Sequence, residues 1–131
     1  MRVHGWEERL LATVAAETVT PFDWQRGGCI DFALDCIEAV TGENPMPDLS
    51  FGDAKDARRM LKDMAADDLR AALAKHLDPV PVSMAQRGDV GVVTWEGAQC
   101  AVVNIGPVWT GKSETGLVRV PRAKVEAAFK V

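Results

Sequence analysis

Residues 21–44 read PFDWQRGGCIDFALDCIEAVTGEN, and this stretch decides the fold of the chain. Small and apolar residues recur in it at the i, i+3, i+4, i+7 spacing of a helix with one buried face. They are Cys29, Phe32, Ala33, Cys36, Ile37 and Val40. Gly42 follows, at a position where glycine commonly ends a helix. The stretch therefore predicts a turn and then a helix with Cys29 in its first turn.

Cys29 is the candidate nucleophile of the chain. A thiol in the first turn of a helix lies near the positive end of the helix dipole, which favours the thiolate. Gly27 and Gly28 precede it and allow close approach of another backbone. The alternative is packing, because cysteine outside disulfides is among the most buried residue types. Cys36 lies two helical turns later on the same face, and we expect it to be a core residue.

The composition is that of one soluble globular domain. A chain of 131 residues suits a single hydrophobic core. The net charge of −4 argues against a surface for nucleic acid or for anionic membranes, which requires clustered Lys and Arg. Residues 7–9 are charged where a signal peptide needs its apolar segment, and no apolar run reaches transmembrane length. We therefore expect a cytoplasmic protein.

Further helices are predicted on both sides of residues 29–41. Residues 6–18 form an amphipathic pattern, and a helix from Asp53 to about Met64 follows the central one. Another helix is expected to begin at Asp67 or Asp68 and to end near Leu77. In the first of these helices we expect one apolar face made of Trp6, Leu10, Leu11 and Val14.

The pattern becomes that of β-strands after residue 88. DVGVVTW (89–95), QCAVVNIG (99–106) and GLVRVP (116–121) are rich in β-branched residues and are bounded by turn residues. Helices followed by an antiparallel sheet indicate the α+β class. We expect a single domain over 1–131, with a helical part at about 5–78, a sheet part at about 88–121 and a short C-terminal helix at 122–130.

Several landmarks occur in the order found in a known family. GWEERL begins at residue 5, PFDW at residue 21 and DFALDCIEAVTGENP at residue 31, while AQRGDVGVV, the Gly106 turn and GLVRVP follow downstream. In these landmarks the chain resembles small phage and prophage proteins of the DUF6950 kind, within the NlpC/P60 branch of the papain-like cysteine peptidases. The resemblance covers nearly the whole chain. It implies the NlpC/P60-like fold, with N-terminal helices packed on a C-terminal antiparallel sheet.

The resemblance also implies a catalytic pair and shows where this chain departs from it. It places the nucleophile at Cys29 and a histidine at the start of the strand that here reads CAVVNIG. This chain has Cys100 at the histidine position. A cysteine is neither basic nor cationic near neutral pH, so it does not replace a general base. The two histidines of the chain, His4 and His76, lie outside the predicted sheet.

Other site residues follow from the resemblance. Cys100 should lie beside Cys29, which would bring the two thiols within disulfide range. Asn104, on the same strand as Cys100, is either a polar orienting residue or an exposed member of an alternating strand. The residues proposed to line a cleft around Cys29 are Trp24, Gly28, Trp95 and Trp109. The alternative for the three tryptophans is that they fill the edges of the core.

Two functions follow as expectations. The first is a phage or prophage tail-associated protein that acts in assembly or partner binding and lacks peptidase activity, because Cys100 occupies the histidine position. Its partners would be other tail proteins, and it would be found in the virion. The second is an active cysteine hydrolase that cleaves cell-wall peptide or a related amide with Cys29 as nucleophile. We expect no cofactor, and no metal because Cys-x-x-Cys spacing is absent.

Overall fold

A computed structural model describes residues 2–19, 29–45, 69–95, 98–106, 108–113 and 116–131, and only the backbone at positions 29, 95 and 98. The helices are α1 (Trp6–Thr18), α2 (Cys29–Thr41) and α3 (Leu69–Ala74). The strands are β1 (Asp78–Val80), β2 (Val90–Trp95), β3 (Ala98–Asn104), β4 (Trp109–Ser113), β5 (Gly116–Val120) and β6 (Ala127–Lys130). Short 3-10 turns occur at Val82–Met84 and Arg122–Lys124. The expected α+β class is confirmed.

The six strands form one antiparallel sheet in the order β1-β6-β2-β3-β4-β5. β2 and β3 are neighbours along their whole length, from the pair Val90–Val103 to the pair Trp95–Ala98. The C-terminal strand β6 lies between β1 and β2 and pairs with both. The end of the chain is therefore built into the interior of the sheet.

The main hydrophobic core lies between the helices and one face of the sheet. Phe32 and Val40 of α2 are fully buried, and α2 packs on β3 and β4. The sheet contributes the alternate residues that face the helices, namely Val90, Val92, Ala101, Val103, Ala127 and Phe129. The predicted inward face of α2 and its end before Gly42 are confirmed for the side chains that the structure describes.

A second hydrophobic cluster covers the opposite face of the sheet. It contains the intervening strand residues, which point away from α2 because side chains alternate along a strand. Its buried members are Val93, Val102, Trp109, Val120, Val125 and Ala128. Residues of β1 and of the 82–85 segment pack against it. The sheet is thus buried on both faces, which explains why its central strands are apolar runs without a polar side.

The predicted C-terminal helix at 122–130 is wrong. Residues 122–124 form a 3-10 turn, and Ala127–Lys130 forms the strand β6. The alanines and charged residues of this segment favour a helix by propensity. Tertiary pairing overrides that preference, because β6 hydrogen-bonds to strands on both sides and buries Ala127, Ala128 and Phe129.

The first and third helices also differ in detail from the prediction. Leu11 is 55% exposed, so it does not share the buried face of Leu10. The helix expected to reach Leu77 ends at Ala74, and residues 78–80 pair as β1. The short strand β4 is not among the predicted strands, and it contains Gly111, whose missing side chain allows close packing on Val102. The predicted helix from Asp53 to Met64 lies outside the described residues.

The Gly88-Asp89 pair ties both ends of the described chain to the entrance of β2. Asp89 is 3% exposed and accepts hydrogen bonds from the Arg2 guanidinium (2.9 Å), the Gln86 N–H (2.8 Å) and the Val131 N–H (3.0 Å). Arg2 also donates to the carbonyl of Val131 and lies 4.3 Å from the centre of the Trp6 ring. Asp89 thus structures the turn that leads into β2.

Gly91, in the middle of β2, allows the second cluster to pack against the strand. A Cβ at this position would lie 2.9 Å from Trp109 Cζ3 and from Val125 Cγ1, and 3.0 Å from the Ala127 carbonyl oxygen. We expect Gly91→Ala to lower the free energy of unfolding by about 1–3 kcal/mol, because the strand and its neighbours must shift to relieve the overlap. Urea denaturation measures the change.

The matched control removes one of the crowding atoms. Val125→Ala costs stability by itself, because Val125 is buried. In the double variant Gly91→Ala/Val125→Ala the loss should be smaller than the sum of the two single losses. A strictly additive result would contradict the steric explanation.

No helix in the described part of the chain is long and apolar enough to span a membrane.

Candidate functional site

The candidate nucleophile lies at the beginning of a helix, as the sequence predicts. The backbone of Cys29 forms the first residue of α2, and α2 continues to Thr41. The side chain of Cys29 is outside what the structure describes, as are Trp24 and Gly28. The position of its backbone keeps Cys29 a candidate nucleophile. A nucleophile also requires a base near the first turn of α2.

His4 lies at the far end of α2. The N–H of the preceding residue, Val3, donates to the carbonyl of Val40 at 2.9 Å, which fixes this segment beside the last turn of the helix. Eleven residues separate position 29 from position 40, or about 16 Å along the helix axis. His4 is also exposed. It is consequently not positioned to take a proton from Cys29.

His76 lies between α3 and the edge strand β1. It follows α3, is exposed, and precedes the edge strand β1 by two residues. α2 packs on β3 and β4, and β1 is separated from β3 by β6 and β2. α3, which precedes His76, packs on β3 and β6, and its Leu73 belongs to the same core cluster as Ile30 of α2. His76 therefore lies in the segment that joins α3 to the edge strand β1.

Cys100 is on β3, where the resemblance puts the catalytic histidine, but it belongs to the other face of the sheet. It pairs with Val93 across the strands and packs against the second hydrophobic cluster, whereas its neighbour Ala101 faces α2. Cys36 and Cys100 take part in no disulfide among the described residues. The expected contact of Cys100 with Cys29 stays a prediction, and the face on which Cys100 lies does not favour it.

The hydrogen bonds of Asn104 show that it has a structural role. It is 7% exposed, so it is not the exposed strand residue that one alternative predicted. Its side-chain oxygen accepts the N–H of Gly106 at 2.8 Å, and its backbone exchanges hydrogen bonds with Gly88 and Asp89. Asn104 thus shapes the turn after β3 and fixes it to the turn before β2.

Of the tryptophans proposed for a cleft, Trp109 is the one whose side chain is described. It is 2% exposed and lies in the second hydrophobic cluster, on the sheet face away from α2. Trp109 therefore fills the core, as the alternative predicts. Trp95 is described by its backbone at the end of β2.

A polar cluster that the sequence analysis missed lies between α1, α2 and β4. Lys112 of β4 has a fully buried side chain, and its ammonium donates to Glu17 of α1 twice: to the backbone carbonyl at 2.8 Å and to Oε2 at 3.1 Å. Glu17 is 7% exposed. The ammonium thereby satisfies a terminal carbonyl of α1 and neutralises a buried carboxylate. We call Glu17, Lys112 and Asp35 the Glu17 cluster.

Asp35 of α2 completes the Glu17 cluster. The pKa of Asp35 is raised to about 6 by partial burial first, then by a hydrogen bond with the Glu17 side chain and by the negative charges of Glu17, Asp31 and Glu38. One face of Asp35 is exposed to solvent. Burial also raises the pKa of the Cys36 thiol, which keeps this core cysteine protonated and unreactive.

The Glu17 cluster opens to solvent through a groove between α1 and α2. The groove has a volume of about 460 Å³. Arg9 lies at its rim, where the guanidinium donates to the carbonyls of Ala39 (2.7 Å) and Glu38 (3.2 Å) near the end of α2. The groove floor is made of small side chains from both helices, so water and protons reach the Asp35 carboxyl.

One signal in the sequence could have identified the Glu17 cluster. Glu17 follows Leu10 and Val14 at i, i+4, i+7 spacing, which puts a carboxylate on the buried face of the first helix. A buried carboxylate requires a cationic partner. Lys112, which lies on the same side of β4 as Thr110, is that partner. It is so far from Glu17 in sequence that the sequence alone does not reveal the pairing.

The described residues contain no group of three or more His, Cys, Asp or Glu side chains arranged to hold a metal ion. No curated protein and no solved structure matches the chain. The domain family DUF6950, described as a domain of unknown function, matches residues 1–131. A match over this length shows that the chain belongs to the DUF6950 family.

Proposed function

We propose that this chain is a phage or prophage tail-associated protein with an NlpC/P60-like fold that acts in assembly or partner binding and performs no peptidase chemistry. It is made in the cytoplasm and meets other tail proteins there. The phage context rests on the resemblance of the sequence landmarks. The loss of chemistry rests on Cys100, which occupies the position of the family's catalytic histidine.

The observation that carries the proposal is the face of β3 on which Cys100 lies, away from α2. His4 is held beside Val40, at the opposite end of the helix, and His76 lies next to the edge strand β1. A cysteine nucleophile needs a base within about 3 Å to take its proton and to return it to the leaving amine. Cys100, at the position where the resemblance expects the base, lies on the remote sheet face.

The alternative, an active cysteine hydrolase, retains one supporting observation. Cys29 begins a helix of 13 residues, where the helix dipole favours a thiolate. With Cys100 in place of the family's histidine, that thiolate lacks the group with which the family protonates the leaving amine. The assembly proposal is therefore preferred.

The first test measures hydrolysis. Purified protein is incubated with cell-wall peptidoglycan and with peptides cut from it, and the release of new amino groups is followed. We expect wild type and Cys29→Ala to release no more than buffer. Release by wild type that disappears in Cys29→Ala would establish the hydrolase and refute the proposal.

The second test addresses assembly. The gene is deleted from the phage or prophage that carries it, and particles are counted and examined by electron microscopy. We expect defective or missing tails in the deletion, and full rescue by both wild type and Cys29→Ala. Normal, infectious particles in the deletion strain would contradict the assembly role, whatever the result of the hydrolysis test.

A further inference from the structure

The Glu17 cluster joins three elements that are far apart in sequence. Glu17 is in the last turn of α1, Asp35 is in the middle of α2, and Lys112 is near the end of β4. The hydrogen bond from Lys112 to the Glu17 carbonyl links positions that are 95 residues apart. The Glu17 cluster thus attaches the C-terminal end of α1 to α2 and β4 through polar contacts.

Within the part of the chain that the structure describes, the acids in and around the Glu17 cluster outnumber the cations. Lys112 supplies one positive charge inside the cluster, opposite two carboxyl groups. Asp31 and Glu38, on the same helix as Asp35, add negative charge. Arg9 is the cation of the groove rim, and its guanidinium is directed to the carbonyls of Ala39 and Glu38. A proton on Asp35 reduces the imbalance and provides the hydrogen for its bond with Glu17.

We propose that the Glu17 cluster is a pH-sensitive contact, which holds the end of α1 on α2 and β4 while Asp35 is protonated and loosens when Asp35 ionises. In the protonated state Asp35 donates its O–H to the Glu17 carboxylate, and Glu17 accepts from the Lys112 ammonium. After ionisation the carboxylates of Asp35 and Glu17 repel each other. The buried Lys112 ammonium then has to hold α1, α2 and β4 together against this repulsion. The groove gives the proton its path to solvent.

The direction of the pH dependence follows from the pKa of Asp35. This pKa is raised in the folded chain to about 6, above its ordinary value of 3.8. A carboxyl group with a raised pKa stabilises the fold fully below its unfolded pKa, and that contribution is lost as the pH rises through the folded pKa. The end of α1 is therefore attached most firmly in mild acid and opens more often above pH 6.

Hydrogen exchange of the backbone amides tests the proposal on the intact protein. Exchange at residues 14–18 is measured at pH 5.0 and pH 7.5, and each rate is divided by the intrinsic rate at that pH. We expect the opening constant of this turn to rise roughly threefold to tenfold between the two pH values, after allowance for screening of the partly exposed Asp35 by water. Amides in the middle of α2 serve as the internal reference and should change less.

Two variants decide whether Asp35 is responsible. In Asp35→Asn, which keeps the shape of the side chain and cannot ionise, the opening constant should stay within about twofold between the two pH values. Glu126→Gln, a change of the same charge at an exposed position remote from the groove, should behave like wild type. The proposal is overturned if wild type shows no pH dependence at α1, or if the dependence persists in Asp35→Asn.

Discussion

Replacing Asp89 with alanine is expected to lower the free energy of unfolding by about 3–5 kcal/mol, the cost of removing one partner of a buried ion pair. The Asp89 carboxylate accepts from Arg2, from the backbone of Gln86 and from the backbone of Val131. Its loss leaves two partly buried N–H groups without their acceptor and the Arg2 guanidinium without its counter-charge. Urea denaturation at constant pH measures the loss, and the slope of the transition should stay unchanged.

Two further variants separate the charge of Asp89 from its hydrogen bonds. Asp89→Asn keeps one oxygen acceptor without the negative charge. Its free energy of unfolding should therefore fall between those of wild type and Asp89→Ala. Asp78→Ala changes an exposed aspartate at the edge strand β1, and we expect a change within about 0.5 kcal/mol. If Asp89→Ala cost no more than Asp78→Ala, the role assigned to the Gly88-Asp89 pair would be wrong.

The local part of the fold is predictable from the sequence because it depends on spacing within one element. The periodicity of residues 29–40 predicts α2 and its buried face, and the β-branched runs predict β2 and β3. Gly88-Asp89 predicts a structured turn. Each of these signals is complete within about a dozen residues, so no distant partner is needed to interpret it.

The rest of the fold depends on contacts between distant segments. β6 consists of residues with good helix propensity and becomes a strand because β1 and β2 offer hydrogen bonds on both sides. β1 contains Pro79, and proline is not expected in an interior strand of a sheet. Pro79 is tolerated because β1 is an edge strand. Pairings of this kind are fixed by the assembled sheet and not by the segment alone.

The candidate site also combines local features, which the sequence predicts, with long-range contacts, which it does not. The position of Cys29 at a helix start is a local property and was predictable. The face of β3 on which Cys100 lies depends on strand register, and a shift of one residue moves a side chain to the other face. The pairing of Glu17 with Lys112 is invisible in the sequence, although the helical phase of Glu17 indicates that its carboxylate must find a partner.

Lys112→Met is expected to lower the free energy of unfolding at pH 7.5 by about 3–5 kcal/mol, because it leaves the Glu17 carboxylate buried without its cation. Methionine fills a similar volume, so the loss reports the charge and hydrogen bonds more than packing. The loss should be smaller at pH 5.0, where Asp35 holds its proton and adds no negative charge beside the unpaired Glu17 carboxylate. Urea denaturation at both pH values measures it.

The double variant Glu17→Gln/Lys112→Met separates an unpaired charge from a lost contact. It removes both charges, and replacing both members of a buried pair costs far less than removing one of them. We expect the double variant to recover most of the stability at pH 7.5 and to lose the difference between the two pH values. A double variant as unstable as Lys112→Met would show that the end of α1 depends on the hydrogen bond from Lys112 to the Glu17 carbonyl, and not on the neutralisation of a buried carboxylate.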